Sequence, residues 1–380
     1  MDLEDHLASN TKLSQSLDDI KRFCSQIWKD RLLPWFTNHD ISHSEEIISL
    51  LGQILKPLEE HSQFLNDDEL FILISSAYLH DIGMQNLKIG DITAEKLTEK
   101  DYNEIRKRHA EESSKIILTK LLSFQKRDDF QLPAIDEEYI PVIAQVVKGH
   151  STDFFNDVIK EFRDKPATPK NSPVRGELLT ALLLIADELD LHCKRVNFKQ
   201  TAMFKLSNYS KMHWFKHHYV DSISVNAGII NITLNFPDES DNYSNLIQKL
   251  INNKIERQLE LVNPILSEQT DGLLHIAETK IKVIKDKYGV KRKLEQEVIP
   301  LIENELQKDI LPFEQEFVES EIYIYPKPSL YFTGRNSDLQ YFEKAIESYC
   351  IASIEGLCGI GKTEFASKCV EMYLSEKPIV

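Results

Sequence analysis

Residues 67–84 read DDELFILISSAYLHDIGM, and this stretch decides the fold. Its apolar run from Leu70 to Leu79 is about half of the ~20 residues that span a bilayer, so it reads as a buried helix. Asn66 or Asp67 supplies the N-cap and Gly83 marks the end. At the end of the run sit His80 and Asp81, side by side in apolar surroundings. A lone carboxylate there would be costly, since a buried carboxylate either finds a cation or gives up its charge. The stretch therefore predicts a helical core with a metal at the end of one of its helices.

Working outward, helical spacing predicts further helices over residues 12–33 (Leu13, Leu17, Ile20, Phe23, Ile27), 42–58, 102–124, 137–149 and 174–190. His43 opens the helix at 42–58, and His109 lies on that at 102–124. His150 ends the next, in KGHS, and Asp187 ends the last, in LIADELD. Imidazole and carboxylate together suit divalent first-row metals. Six such ligands exceed what one ion needs. They fit two ions bridged by a carboxylate, with positions left open for water and substrate. A histidine taken alone is more often an ordinary core or surface residue, which is how His6, His61, His192, His213, His217, His218 and His275 read.

Beyond residue 200 the pattern changes. Residues 217–236 (HHYVDSISVNAGIINITLNF) alternate β-branched positions around Asn226-Ala227-Gly228 and read as a β-hairpin. Residues 243–309 read as long amphipathic helices rich in Lys and Glu, and residues 322–331, with two prolines, read as a linker. A helix is expected over 338–348 and a strand at 351–355, IASIE. The sequence GLCGIGKT at 356–363 then follows the phosphate-loop pattern: Gly356, Gly359, Gly361 and Lys362 would cradle phosphates and Thr363 would hold Mg²⁺. The chain stops at Val380, soon after the next helical run, so only the opening of an α/β domain is expected there, without nucleotide turnover at Lys362.

The net charge of −16 argues against a broad, sequence-blind grip on nucleic acid, which needs a basic face, but leaves room for a local basic pocket. The acidic N-terminus, MDLEDHLASN, is unlike a secretory signal. Five cysteines without CxxC spacing indicate neither a disulfide framework nor a zinc knuckle. A cytoplasmic location and no membrane partner are expected.

The ordered set His43, His80-Asp81, Asp187 resembles the H…HD…D signature of HD-domain phosphohydrolases, and His109 and His150 resemble the further ligands of its di-metal members. The contexts TNHDISHS, YLHDIGM, RKRHAEES, VKGHS and LLLIADELDL look closest to the HD branch fused to signalling and conflict-system NTPases. FTGRNSDLQYF at 332–342 resembles the entry segment of STAND-type NTPases. One departure stands out: where the family often has His-Gly before the first ligand, this chain has His39-Asp40, which leaves the role of Asp40 open.

The resemblance implies a mainly α fold. An HD-type helical bundle would occupy residues 1–200, with a β-hairpin and helical extension over 201–320. A linker at 321–334 would lead to the N-terminal fragment of a P-loop NTPase at 335–380. It also implies phosphoester hydrolysis on a nucleotide or phosphodiester, with two divalent ions (Mn, Fe, Zn, Mg or Ni) and, in a full-length protein, ATP/Mg at the phosphate loop. Asp81 would bridge the ions, His43, His80 and Asp187 completing one site and His109 and His150 the other. Lys148 would serve catalysis and hold substrate phosphate along with Lys194 and Arg195; His39, one turn before His43, would donate a proton. Single-stranded nucleic acid, self-association through the NTPase region and a role in antiviral defence belong to the same expectation. The alternatives are a non-catalytic metal- or nucleotide-binding sensor and a di-iron oxygenase.

Overall fold

A computed structural model describes residues 2–28, 33, 36–37, 40–85, 97–122, 131–196, 206–237, 243–286 and 293–308, together with 338–339, 342, 365–366 and 368–369. The chain divides into two compact units, residues 1–307 and 308–380.

The first unit is mainly helical. In chain order it runs α1 (Leu3–Leu7), α2 (Thr11–Ile27), α3 (Ile41–Leu55), α4 (Asp67–Leu79), α5 (Glu99–Leu118), α6 (Ile140–Lys148), α7 (Thr152–Asp164), α8 (Gly176–Leu189) and α9 (Asn208–His218), then β1 (Val220–Asn226), β2 (Ile229–Pro237), α10 (Ser244–Glu268), β3 (Glu278–Asp286) and α11 (Ile299–Lys308). Helix α4 is buried on every side from Glu69 to Leu79, as a helix apolar all round must be. It packs against α2, α3, α6 and α8. Asn66 is its N-cap, paired reciprocally with Glu69 in a capping box. The same Glu69 carboxylate receives Arg175, whose Nη2 lies 2.7 Å from Oε2, while the guanidinium also donates to the carbonyls of Gln63, Phe64 and Gln269. One buried ion pair thus fastens the starts of α4 and α8 together.

The hairpin forms as expected, with Ala227 and Gly228 both at positive φ, as a two-residue primed turn requires. Its inner face (Ile230, Ile232, Leu234, Phe236) is buried, and β1 lies on α3, where Gln53 accepts from the Val225 amide at 2.9 Å. The uninterrupted helical reading of residues 243–309 is corrected. Helix α10 ends at Glu268, and ETKIKVIKD at 278–286 forms β3, parallel to β2, with α10 as the crossover. Lys280, Lys282 and Lys285 break up the apolar positions of this sheet-edge strand, so its period of two hides inside a helix-like composition. Helices α7 and α9 are additions. In α7, Phe155, Val158, Ile159 and Phe162 are buried at helical spacing.

In the second unit, Leu339, Phe365 and Cys369 form a small buried cluster with Phe342 against it, the Phe342 and Phe365 rings meeting edge-on at 6.4 Å. The linker, most of the expected helix at 338–348, the strand at 351–355 and Gly356, Gly359, Gly361, Lys362 and Thr363 lie outside the described residues. Among the described residues, no helix is long and apolar enough to cross a membrane.

Candidate metal centre

Helix α4 ends at Leu79, leaving His80 and Asp81 at its C-terminus before the tight turn Ile82–Gln85. Gly83 lets that turn sit directly on α5. A Cβ at this position would lie 2.4 Å from the His109 carbonyl oxygen and 2.7 Å from the Ser113 nitrogen, and the Gly83 amide donates to Ser113 Oγ at 2.8 Å. This contact brings Asp81 to His109. The Asp81 carboxylate then faces two ways. Oδ2 lies 3.1 Å from His80 Nε2 and 3.5 Å from His43 Nε2, whereas Oδ1 lies 3.5 Å from His109 Nε2 and 3.9 Å from His150 Nε2. Asp187, at the end of α8, places Oδ1 3.3 Å from His43 Nε2 and 3.7 Å from His80 Nε2.

All four imidazoles are oriented through Nδ1. His80, His109 and His150 each bond the carbonyl three residues earlier: Ala77 at 2.9 Å, Arg106 at 2.6 Å and Val147. His43 instead bonds Asp190 Oδ2 at 2.5 Å. A carbonyl accepts only from N–H, so three of the rings carry their proton on Nδ1 and turn the Nε2 lone pair to the centre. There the Nε2 atoms face one another, His43 to His80 at 3.1 Å and His109 to His150 at 2.9 Å. Paired imidazole lone pairs around a carboxylate are a poor arrangement without cations and a fitting one for them. Two triads have donor atoms close enough to hold an ion, His43–His80–Asp187 and His80–Asp81–His150; of the five side chains in them four are buried, Asp187 being about 30% exposed.

The electrostatics split the histidines. Burial and the Arg195 charge push the His43 pKa down, but hydrogen bonds with Asp187, Asp190 and Asp81 outweigh them and raise it to about 10. Burial, then the charges of His109 and His80, lower that of His150 to about 3. For Asp187, burial is overcome by the hydrogen bond to His43 and the charges of His80 and His43, and its carboxyl is held far below the usual range. A metal at His43 therefore competes with a proton, whereas His150 presents a free lone pair.

The six expected ligands come together; the expected phosphate contacts separate. Arg195 lines the cavity beside the cluster and binds Asp190 through both the backbone carbonyl at 3.0 Å and Oδ2 at 3.4 Å. Lys194 is exposed, outside that cavity. Lys148 is corrected: it turns to α7, 3.9 Å from Glu161 and over the Phe154 ring, because two residues along a helix end rotate its side chain away from that of His150. His39 lies outside the described residues. Asp40 is the N-cap of α3, accepting from the Ser42 amide at 2.9 Å, and so positions the helix that carries His43.

The cavity itself, about 170 Å³, runs from Asp81, His109 and Asp187 to a basic wall of Arg106, Arg195, Lys216 and Lys254. Most of that wall was missed in the sequence. Arg106 had a signal, since it stands one turn before His109 on the same helix face. Lys216 and Lys254 had none: both are drawn in by buried Glu188, at 3.0 and 2.5 Å, across three helices. His213 and His217, read as ordinary, line the same cavity.

A helical bundle carrying two His/Asp clusters suited to divalent ions, with Asp81 between them, defines an HD-superfamily catalytic domain, consistent with a metal-dependent phosphohydrolase. The sequence matches the HD-CE family over residues 33–261, well over half of the chain, and the chain belongs to that family. Comparison with curated proteins finds no match.

Proposed function

We propose that this protein hydrolyses a phosphoester of a nucleotide or related small molecule at two divalent ions, with His43, His80 and Asp187 holding one, His109 and His150 the other, and Asp81 joining them. The single observation that carries the reading is the division of Asp81, one oxygen toward each histidine pair. When bound, such ions lower the pKa of water and neutralise phosphoryl oxygens. The protein's own part is orientation. The Nδ1 hydrogen bonds fix the rings, and the buried apolar surroundings of α4 and α8 exclude bulk water from one side. The basic wall attracts and aligns an anionic ester in an otherwise acidic protein. In the reaction a water oxygen bonds to phosphorus, the ester P–O bond breaks, and one water proton ends on the departing oxygen. The same wall favours an anionic ester over dioxygen, and so the hydrolase over the oxygenase.

The test is Asp81→Asn. Turnover of a generic phosphomonoester with Mn²⁺ should fall by about a thousandfold, the scale of several kcal/mol of lost metal-centred stabilisation. Metal content by elemental analysis should fall with it. Full turnover by the variant would defeat the proposal. Native protein that holds metal yet cleaves no phosphoester would favour a metal-binding sensor instead. The phosphate loop GLCGIGKT, following IASIE, supports a second proposal on sequence alone: that an ATP-binding, STAND-type switch governs this domain.

A further inference from the structure

The basic wall holds more charge than one scissile phosphate needs. Around the cavity stand Arg106, Arg195, Lys216 and Lys254, matched by the carboxylates Asp81, Asp187, Glu188 and Asp190. Cations and carboxylates balance, so two divalent ions leave the cavity strongly positive. Arg195 is committed to Asp190, and Glu188 anchors both lysines. Each ammonium has three N–H donors and keeps some for a ligand.

Arg106 is the telling residue. It is half-buried, its guanidinium carbon 4.8 Å from the centre of the Phe36 ring and 5.1 Å from that of Tyr209. Among the described residues its one side-chain hydrogen bond is a long contact of 3.4 Å to the exposed Asn103, and no carboxylate pairs with it. A planar guanidinium clamped by two aromatic faces, with donors unspent and a cavity in front, is built to receive a planar or tetrahedral oxyanion. His213 lies on the same cavity, and its buried Nε2 has no hydrogen-bond partner among the described residues. Burial, then the charges of Arg106, Lys216 and Lys254, hold its pKa well below the ordinary value and keep it neutral. A neutral imidazole still has one N–H to offer a phosphoryl oxygen.

We infer that Arg106, Lys216, Lys254 and His213 form a second phosphoryl subsite beside the metals, so that the substrate is a polyphosphate-bearing molecule with at least two contiguous phosphoryl groups. This rests on the proposed hydrolase reading. One phosphoryl group sits on the metal ions; the next lies in the basic pocket, where Arg106 and Lys254 bind it from opposite helices, α5 and α10.

The test uses the full chain with Mn²⁺ in excess over ligand, so that chelation does not strip the centre. Calorimetric titration compares inorganic tripolyphosphate with orthophosphate. Tripolyphosphate should bind the native protein at least about tenfold more tightly, the scale of one or two charge-assisted hydrogen bonds. Arg106→Gln should remove about tenfold of tripolyphosphate affinity and less than about twofold of orthophosphate affinity. Lys254→Met, at a half-exposed position, should act in the same direction. Equal affinities in the native protein, or an unchanged ratio in both variants, overturns the inference. Hydrolysis of a simple phosphomonoester, followed alongside, separates the two readings. If the native protein cleaves it while the tripolyphosphate preference is missing, the subsite alone falls. If the preference follows Arg106 but no phosphoester is cleaved, the subsite stands and the hydrolase reading fails.

Discussion

The two walls of the cavity are assembled in different ways. On the metal-facing wall, the candidate ligands come from five helices, α3 to α6 and α8, or from their ends, and three of the four imidazoles are oriented by their own local backbone. His80, His109 and His150 each bond the carbonyl three residues back. On the basic wall most of the support is distant. Lys216 on α9 and Lys254 on α10 reach the site because both bind Glu188 on α8, and Arg106 is held by Phe36 and Tyr209 from distant parts of the chain. A ligand must present one lone pair in one direction, so it is fixed by its nearest backbone. A cation that meets an anion through any of several N–H groups can be held loosely and from afar.

His43 is the exception on the metal-facing wall, and it gives the comparison its sharpest test. Its Nδ1 partner is the Asp190 carboxylate, supplied from the far side of the cluster and shared with Arg195. Asp190→Ala should therefore weaken metal affinity by about 10–100-fold, the usual cost of losing a partner that orients a metal-bound imidazole. Competition with a calibrated chelator measures it. An affinity within a factor of two of native would mean that packing alone holds His43, as it does not hold the other three rings.

Acid and base should then pull on the wall from opposite ends in the metal-free protein. His150 has its pKa lowered to about 3, so from pH 6.5 down to 3 the unfolded chain takes a proton that the folded one refuses, and stability falls as pH falls. His43 has its pKa raised to about 10, so its contribution is complete below pH 6.5 and is lost as pH climbs from 6.5 to 10. Urea unfolding of chelator-treated protein should show stability falling through both windows from a maximum near pH 6.5. Saturating metal, which needs Nε2 of both rings unprotonated, should remove the fall above pH 6.5 and steepen the fall below it. A metal-free profile that rises steadily from pH 6 to 9 would contradict the assignment at His43.

Local against distant support also explains what the sequence disclosed. The ligand set could be read because a histidine or aspartate at the end of each apolar helix leaves a mark in one dimension: His80-Asp81 after Leu79, His150 after KG, Asp187 inside LIADELD. The hairpin could be read for the same reason, its turn lying within the chain between its two strands. Asp190 could not, although only three residues beyond Asp187, because nothing near it announces a partner on α3. Strand β3 was hidden by its lysines, which a sheet-edge strand can expose and a central one cannot. Glu188, beside Asp187, carries no mark of its partners in the sequence. Only the arrival of α9 and α10 turns it into a buried anchor.

Lys148 offers the smallest effect and the cleanest control between the walls. Proximity in sequence to His150 made it a natural phosphate ligand, but its ammonium points to Glu161 and the Phe154 ring on α7. The pair is partly exposed and its 3.9 Å separation is long, so Lys148→Ala should cost no more than about 1 kcal/mol of stability. Phosphomonoester turnover at saturating Mn²⁺ should stay within about threefold of native, since neither a ligand nor a residue of the basic wall has been touched. A drop of more than about tenfold in kcat, with metal content unchanged, would mean that Lys148 swings toward the metals when substrate is present. Phosphate binding would then depend on neighbours in sequence after all, and the contrast between the two walls would fail at the place where it was most exposed to disproof.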